Sequence, residues 1–202
     1  MSSPQGVEVR DATRADARNI ADVFAASCRH AYQDVLPPSQ LAKYVPGVQI
    51  PRWTDHLDAL PAHHHVAVAC HDEHVVGFIE TRHNPPVGTC TFPGGIVIDG
   101  ASVGEVTYLF VDPQNIGTGV GRLLLAEGET WLATAGLHTA ILWVFSDNLP
   151  ACAFYERSGW MYTGHEQLDA DLWEAGFSVR ERLYRKVFKS AAVTGEPLSE
   201  LT

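Results

Sequence analysis

Cysteine is scarce: four occur in 202 residues, Cys28, Cys70, Cys90 and Cys152, and no two form a CxxC pair. This excludes a disulfide framework and a thiolate zinc site, so the thiols read as reduced and mostly buried. Positive charge is scarce too, with 14 Lys and Arg against 24 Asp and Glu, a net charge of -10 and a pI near 5.4. No basic stripe is available for nucleic acid, whereas cationic partners such as amines suit an acidic surface. No window reaches the roughly eighteen apolar residues of a membrane span, and the opening MSSPQGVEVRDATRADARN lacks an apolar signal core. A cytoplasmic protein without nucleic-acid or membrane partners is expected. With no interior linker, residues 1–188 read as one domain, and the polar tail 189–202 is expected to be disordered.

The richest stretch is residues 106–122, VTYLFVDPQNIGTGVGR. Its β-branched and aromatic first half suits a buried strand that Asp112 and Pro113 stop. Gly117, Gly119 and Gly121 then alternate, and apolar residues return at helical spacing from Val120 through Leu124 to Trp131. Strand, glycine loop, helix is an anion-binding arrangement, because unpaired N–H groups and the helix dipole face one point. A Walker A loop would need Lys and Ser or Thr where Arg122 and Leu123 stand, and the GxGxG spacing is not that of a dinucleotide turn. Both nucleotide readings fall.

From Asp147 the chain reads DNLPACAFYERSGW, which places Asn148, Ala151, Phe154, Tyr155, Gly159 and Trp160 in an N-x-x-A-x-x-F-Y-x-x-x-G-W pattern. Together with LFVDPQNIGTGVGR some thirty residues earlier, it resembles the GNAT superfamily of acyl-CoA-dependent N-acetyltransferases. The resemblance implies an α/β, GNAT-type fold with a central, mixed, mostly antiparallel twisted sheet flanked by helices. It implies acetyl-CoA as co-substrate, an amine acceptor, and homodimers as a common state of relatives. The backbone of Leu109, Phe110 and Val111 is expected to pair with the pantetheine arm. The N–H groups of Gly117, Thr118, Gly119, Val120, Gly121 and Arg122 are expected on the pyrophosphate, with the Thr118 hydroxyl added. Asn148, Ala151, Phe154 and Tyr155 complete the cofactor set. Relatives usually carry Gln or Arg where Ile116 stands here, so one side-chain contact to the cofactor is missing.

An amine attacks only as its free base, so a proton acceptor is required. The resemblance gives that role to Glu105, at the start of the central strand, and gives protonation of the CoA thiolate to Tyr155. Strict alternation places Glu105 on one face with Thr107, Leu109 and Val111, and a bulge would change this. Glu80 and His83 are further candidates for the base. Cys152 has no neighbouring histidine and reads as a buried thiol, so direct transfer without an acyl-enzyme is expected. A noncatalytic acyl-CoA-binding domain is the alternative.

Elsewhere, residues 7–10 suggest an edge strand, and Thr13 with Asp16 the cap of a helix through Ile20 and Cys28. Five prolines in residues 34–61 leave room for short helices only. The resemblance lays this region over the acceptor side. Residues 66–70 and 75–80 form a hairpin joined by residues 71–74. His63, His64 and His65 read as a solvated loop, not as metal ligands. An irregular excursion with a short strand at 96–98 leads to the central strand. Residues 139–145 form another strand, and a closing antiparallel pair uses residues 160–167 and 178–187.

Overall fold

The computed structural model describes residues 6–83, 89–92, 96–99 and 102–188. The expected disorder of residues 189–202 lies outside them. Strands β1 (Val7–Asp11), β2 (His64–His71), β3 (His74–His83), β6 (Gly104–Val111), β7 (Thr139–Phe145), β9 (Arg180–Val187) and β8 (Met161–Leu168) form a seven-stranded sheet in that spatial order. Only β6 and β7 run parallel; the other described pairs are antiparallel, as expected of a mixed sheet. Strands β4 (Thr89–Phe92) and β5 (Ile96–Asp99) make a separate two-stranded sheet, so the stretch before β6 holds a strand at 89–92 besides the one expected near 96–98.

Helices cover both faces. On one, α1 (Ala17–Tyr32) and α3 (Pro46–Asp58) pack Ile20, Val23 and Trp53 against Val66, Val68 and Phe78. On the other, α4 (Val120–Thr134) and α5 (Leu149–Arg157) bring Leu124, Leu132 and Tyr155 onto Ile79, Val106 and Leu142. Gly128 permits the close seat of α4: a Cβ there would lie 2.6 Å from Ile79 and 2.8 Å from Thr81. Short helices α2 (Pro38–Leu41) and α6 (Ala170–Glu174) complete the chain.

Three expectations are corrected. The prolines do not confine the second region to short helices, because α3 runs 13 residues straight through Pro51. Pro46 occupies a first-turn position, where a missing N–H costs nothing, and Pro51 forgoes the single bond to the Gly47 carbonyl one turn earlier. The hairpin is tighter than expected, with Asp72 and Glu73 alone between the strands at φ 47° and 66°. Positive φ at both turn positions gives the twist that two-residue hairpins need. The histidines are only in part a solvated loop: His63 is exposed in the turn, whereas His64 and His65 open β2 and are half-buried.

Candidate active site

Strand β7 pairs with β6 only at Gly104 and Glu105, opposite Ala140 and Ile141. Beyond Glu105 the two strands part, and among the described residues the rest of β6 is paired on one side only. The Asp112 N–H donates to the Val76 carbonyl, so peptide groups at Asp112 and, by alternation, Phe110 face β3. Those of Leu109 and Val111 face the opening. The Val111 carbonyl is already engaged there by the Ser27 hydroxyl of α1, at 2.7 Å. Of the three residues expected to pair with an extended ligand, Phe110 is therefore turned away, and Val111 retains its N–H.

The glycine loop ends this strand. Asp112 accepts from the Gln114 N–H and starts a single 3-10 turn over Pro113–Asn115. Gly117 and Gly119 follow at φ 83° and 101°, a region that admits glycine readily and other residues at a cost, and α4 begins at Val120. The Arg122 N–H bonds the Gly119 carbonyl and the Thr118 N–H the Asn115 carbonyl, which leaves the N–H groups of Gly117, Gly119, Val120 and Gly121 without a backbone partner among the described residues. The Thr118 hydroxyl donates to the Asn115 carbonyl at 2.7 Å, so toward a phosphate it can no longer act as donor. Ile116 is 56% exposed beside them. Three successive free N–H groups at the positive end of a 15-residue helix fit a pyrophosphate.

Across the opening, Asn148 caps α5 by accepting from the Ala151 N–H at 3.3 Å. Phe154 faces the glycine loop, its ring 3.6 Å from where a Gly121 Cβ would lie, so the two sequence motifs meet in space. Tyr155 is 8% exposed, packed among Phe154, Trp160 and Tyr184. Burial pushes its phenol up and keeps it protonated. Cys152 is buried beside it with Sγ toward the Phe145 carbonyl, as expected of an inert thiol.

The α1/α3 face carries the polar chemistry. Opposite β3, Glu80 pairs with Tyr108 and Thr81 with Val106, so Thr107 is the extra residue of a bulge. Val106 consequently shares the α4 face with Leu109 and Val111. Glu105 is thereby turned to the other face, with Tyr108 and Phe110, rather than joining Leu109 as strict alternation required. There Arg82 places Nε at 2.8 Å and Nη2 at 2.7 Å from its Oε2. Next to this pair, Glu80 is 1% exposed and receives His56 Nε2 at 3.0 Å and His64 Nδ1 at 2.7 Å, one on each oxygen. The three ligand-type atoms lie within 4.8 Å of one another, but each imidazole holds a different oxygen, which is a hydrogen-bonded triad. The Glu80 hydrogen bond raises the pKa of His56 above the ordinary imidazole value. Trp53 packs edge-on against His56 and Tyr108, and Phe24 against Tyr108 and Phe110. His83, the other candidate base, instead stacks with Trp131 near His65.

His56, His64 and Arg82 were missed as partners of the two carboxylates. Each pairing depends on strand register or on the seat of α3 and not on local spacing, and only the Glu80 and Glu105 positions carried a signal.

The description of the family model that matches residues 27–160 is acetyltransferase (GNAT) family. The mycothiol acetyltransferase of Nocardioides sp. is 33% identical over 167 residues, 80% of this chain and 52% of that protein. The chain thus spans about half the length of this curated relative. A PaiA N-acetyltransferase from Thermoplasma acidophilum, solved with coenzyme A, superposes at a TM-score of 0.65 with 19% identity, over 93% of this chain and all of that one. The yncA protein of Salmonella typhimurium, solved with acetyl-CoA, gives 0.62 with 16% identity, over 95% and 99%. These structural likenesses show the fold. With the family model covering both motifs and both carboxylates, the chain belongs to the GNAT acetyltransferase family.

Proposed function

We propose that the protein transfers the acetyl group of acetyl-CoA directly to a primary amine. The observation that carries this reading is the parting of β6 and β7, flanked by the outward N–H groups at the head of α4 and by Tyr155 on α5. An extended pantetheine would lie along Leu109 and Val111, with its pyrophosphate on Gly119, Val120 and Gly121. Asn148, Ala151 and Phe154 would border it. The acetyl group would then meet the acceptor over the Tyr108 face.

On that face Glu105 supplies negative charge that draws an ammonium in, and a neighbouring base takes its proton. The amine nitrogen then bonds to the acetyl carbon as the C–S bond breaks. Tyr155 gives its phenolic proton to the departing sulfur. Its raised pKa suits a donor that must remain neutral until that moment. The proton that nitrogen sheds on becoming an amide restores the phenol. The acidic composition and reduced thiols agree with a cytoplasmic setting. Among the described residues, no helix is long and apolar enough to cross a membrane.

Calorimetric titration with acetyl-CoA, followed by a screen of polyamines, aminoglycosides, amino acids and lysine peptides read by product mass, tests the reading. Binding in the micromolar range with one acetylated amine supports it. Binding with no product across the panel would select a noncatalytic acyl-CoA domain.

A further inference from the structure

We propose that His56 is the group that takes the proton from the acceptor amine, with Glu80 and His64 as its positioning residues. This rests on the acetyltransferase reading and names its base. Three observations converge on His56. It reaches the acceptor face from α3, beside Trp53, whose ring also contacts Tyr108. Its Nε2 is fixed on Glu80 Oε2, and Nδ1 has no hydrogen-bond partner among the described residues. Its side chain is 33% exposed, while the Glu80 side chain beneath it is 1% and the His64 side chain 12% exposed.

This is a carboxylate-oriented imidazole, the arrangement in which a buried acid fixes the tautomer and steadies the charge that the ring acquires. Glu80 Oε2 accepts the Nε2–H, so the lone pair of neutral His56 is at Nδ1. His64 holds the other Glu80 oxygen, which prevents the carboxylate from rotating away. In the step itself, Nδ1 takes one proton from R–NH3+, leaving R–NH2 and an imidazolium against Glu80. After acetyl transfer that proton leaves to solvent.

Glu105 is less suited to the same task. Its Oε2 accepts both Arg82 donors, so half of the carboxylate is committed to an ion pair. An imidazole also titrates nearer neutral pH than a carboxylate, and general-base efficiency is greatest when the base's pKa is close to the working pH. The titratable groups facing His56 are Glu80 on β3, hydrogen-bonded to it, and His64 on β2, whose ring lies 6.2 Å away; Tyr108 on β6, which feels Glu80, Arg52 and Arg82, packs on the same Trp53 ring. Glu80 dominates, and its hydrogen bond raises the basicity of the ring.

The test is kcat against pH from 6 to 9 with saturating acetyl-CoA and the amine that gives most product in the screen above, for the unmodified chain, His56→Gln and Glu80→Gln. The unmodified chain should lose kcat toward acid as His56 becomes protonated. His56→Gln should lower kcat at pH 7.5 by about tenfold or more and remove that acidic limb. Glu80→Gln should move the limb to lower pH, since loss of the carboxylate lowers the imidazole pKa, a shift that mere loosening of the fold would not produce. Unchanged acetyl-CoA affinity in both variants shows that they are folded. A His56→Gln variant with unaltered kcat and profile overturns the assignment and leaves the acetyltransferase reading standing. Failure of the unmodified chain to acetylate any amine overturns that reading and this assignment with it. Tight one-to-one zinc binding that Glu80→Gln abolishes would also overturn it, making the triad a metal centre.

Discussion

Arg82 directs Nε and Nη2 onto the same oxygen of Glu105, at 2.8 and 2.7 Å, and so fixes the carboxylate at the base of the face where the amine is expected. The pair exists because the bulge at Thr107 turns Glu105 to the side of the sheet that Arg82 already occupies.

Glu105→Gln keeps the shape and removes the charge. If Glu105 draws the ammonium in, KM for the amine should rise by about tenfold while kcat changes less. Steady-state kinetics at fixed acetyl-CoA check this. The opposite split, kcat falling with KM constant, would return the base role to Glu105.

Tyr155→Phe removes one hydroxyl from a packed site and should lower kcat by about tenfold or more, since the thiolate then leaves without a proton donor. The thermal midpoint should move by no more than a few degrees, because the ring still fills its place among Phe154, Trp160 and Tyr184. Pairing the two measurements separates a chemical role from a packing one.

The glycine loop predicts opposite effects at two positions. Gly119→Glu forces a side chain onto a residue at φ 101° and sets a carboxylate against the expected phosphates, so acetyl-CoA affinity should fall by at least about tenfold. Ile116→Arg, at an exposed site beside the same donors, should raise affinity several-fold and weaken that gain at high salt. Calorimetry at two ionic strengths reads both.

Asp16 links pH to stability. Arg10 donates two hydrogen bonds to it, Thr13 donates from its N–H and its hydroxyl, and the Arg10 bonds above all hold the carboxyl down at about 2. Because the folded value lies below the unfolded one of ~3.9, the contribution is complete above that pH and disappears as pH falls through about 2. Asp16→Asn should cost about 1–2 kcal/mol at pH 7, a figure already reduced because Arg10 is partly exposed to solvent. Urea unfolding at pH 7 and pH 3 should show the gap between the two proteins narrowing; a constant gap would mean that the carboxylate charge is not what matters.

What was legible in the chain was local. Strand β6, the glycine loop and α4 lie within one continuous stretch, and the Asn148 cap, Phe154 and Tyr155 within one short helix. Side-chain alternation, positive φ at glycine and capping chemistry act over a few residues, so such units can be read in order. The face of Glu105 could not be read, because a bulge is set by the partner strand: β3 skips Thr107 when pairing with β6. The histidines misled for the same reason. His64 looked like one of three loop histidines until β2 placed it opposite Arg82, beside Glu80.

The sequence by itself determined the glycine loop, the buried strand before it, the capped helix carrying Tyr155 and, through the pair of motifs, the family. The tertiary structure alone decided that β6 and β7 part after Glu105, that Glu105 meets Arg82, and that His56 and His64 close on Glu80. These three depend on contacts between segments 16 or more residues apart. They form only when the sheet's twist, one bulge and the seat of α3 are all in place, and no run of neighbouring residues encodes them.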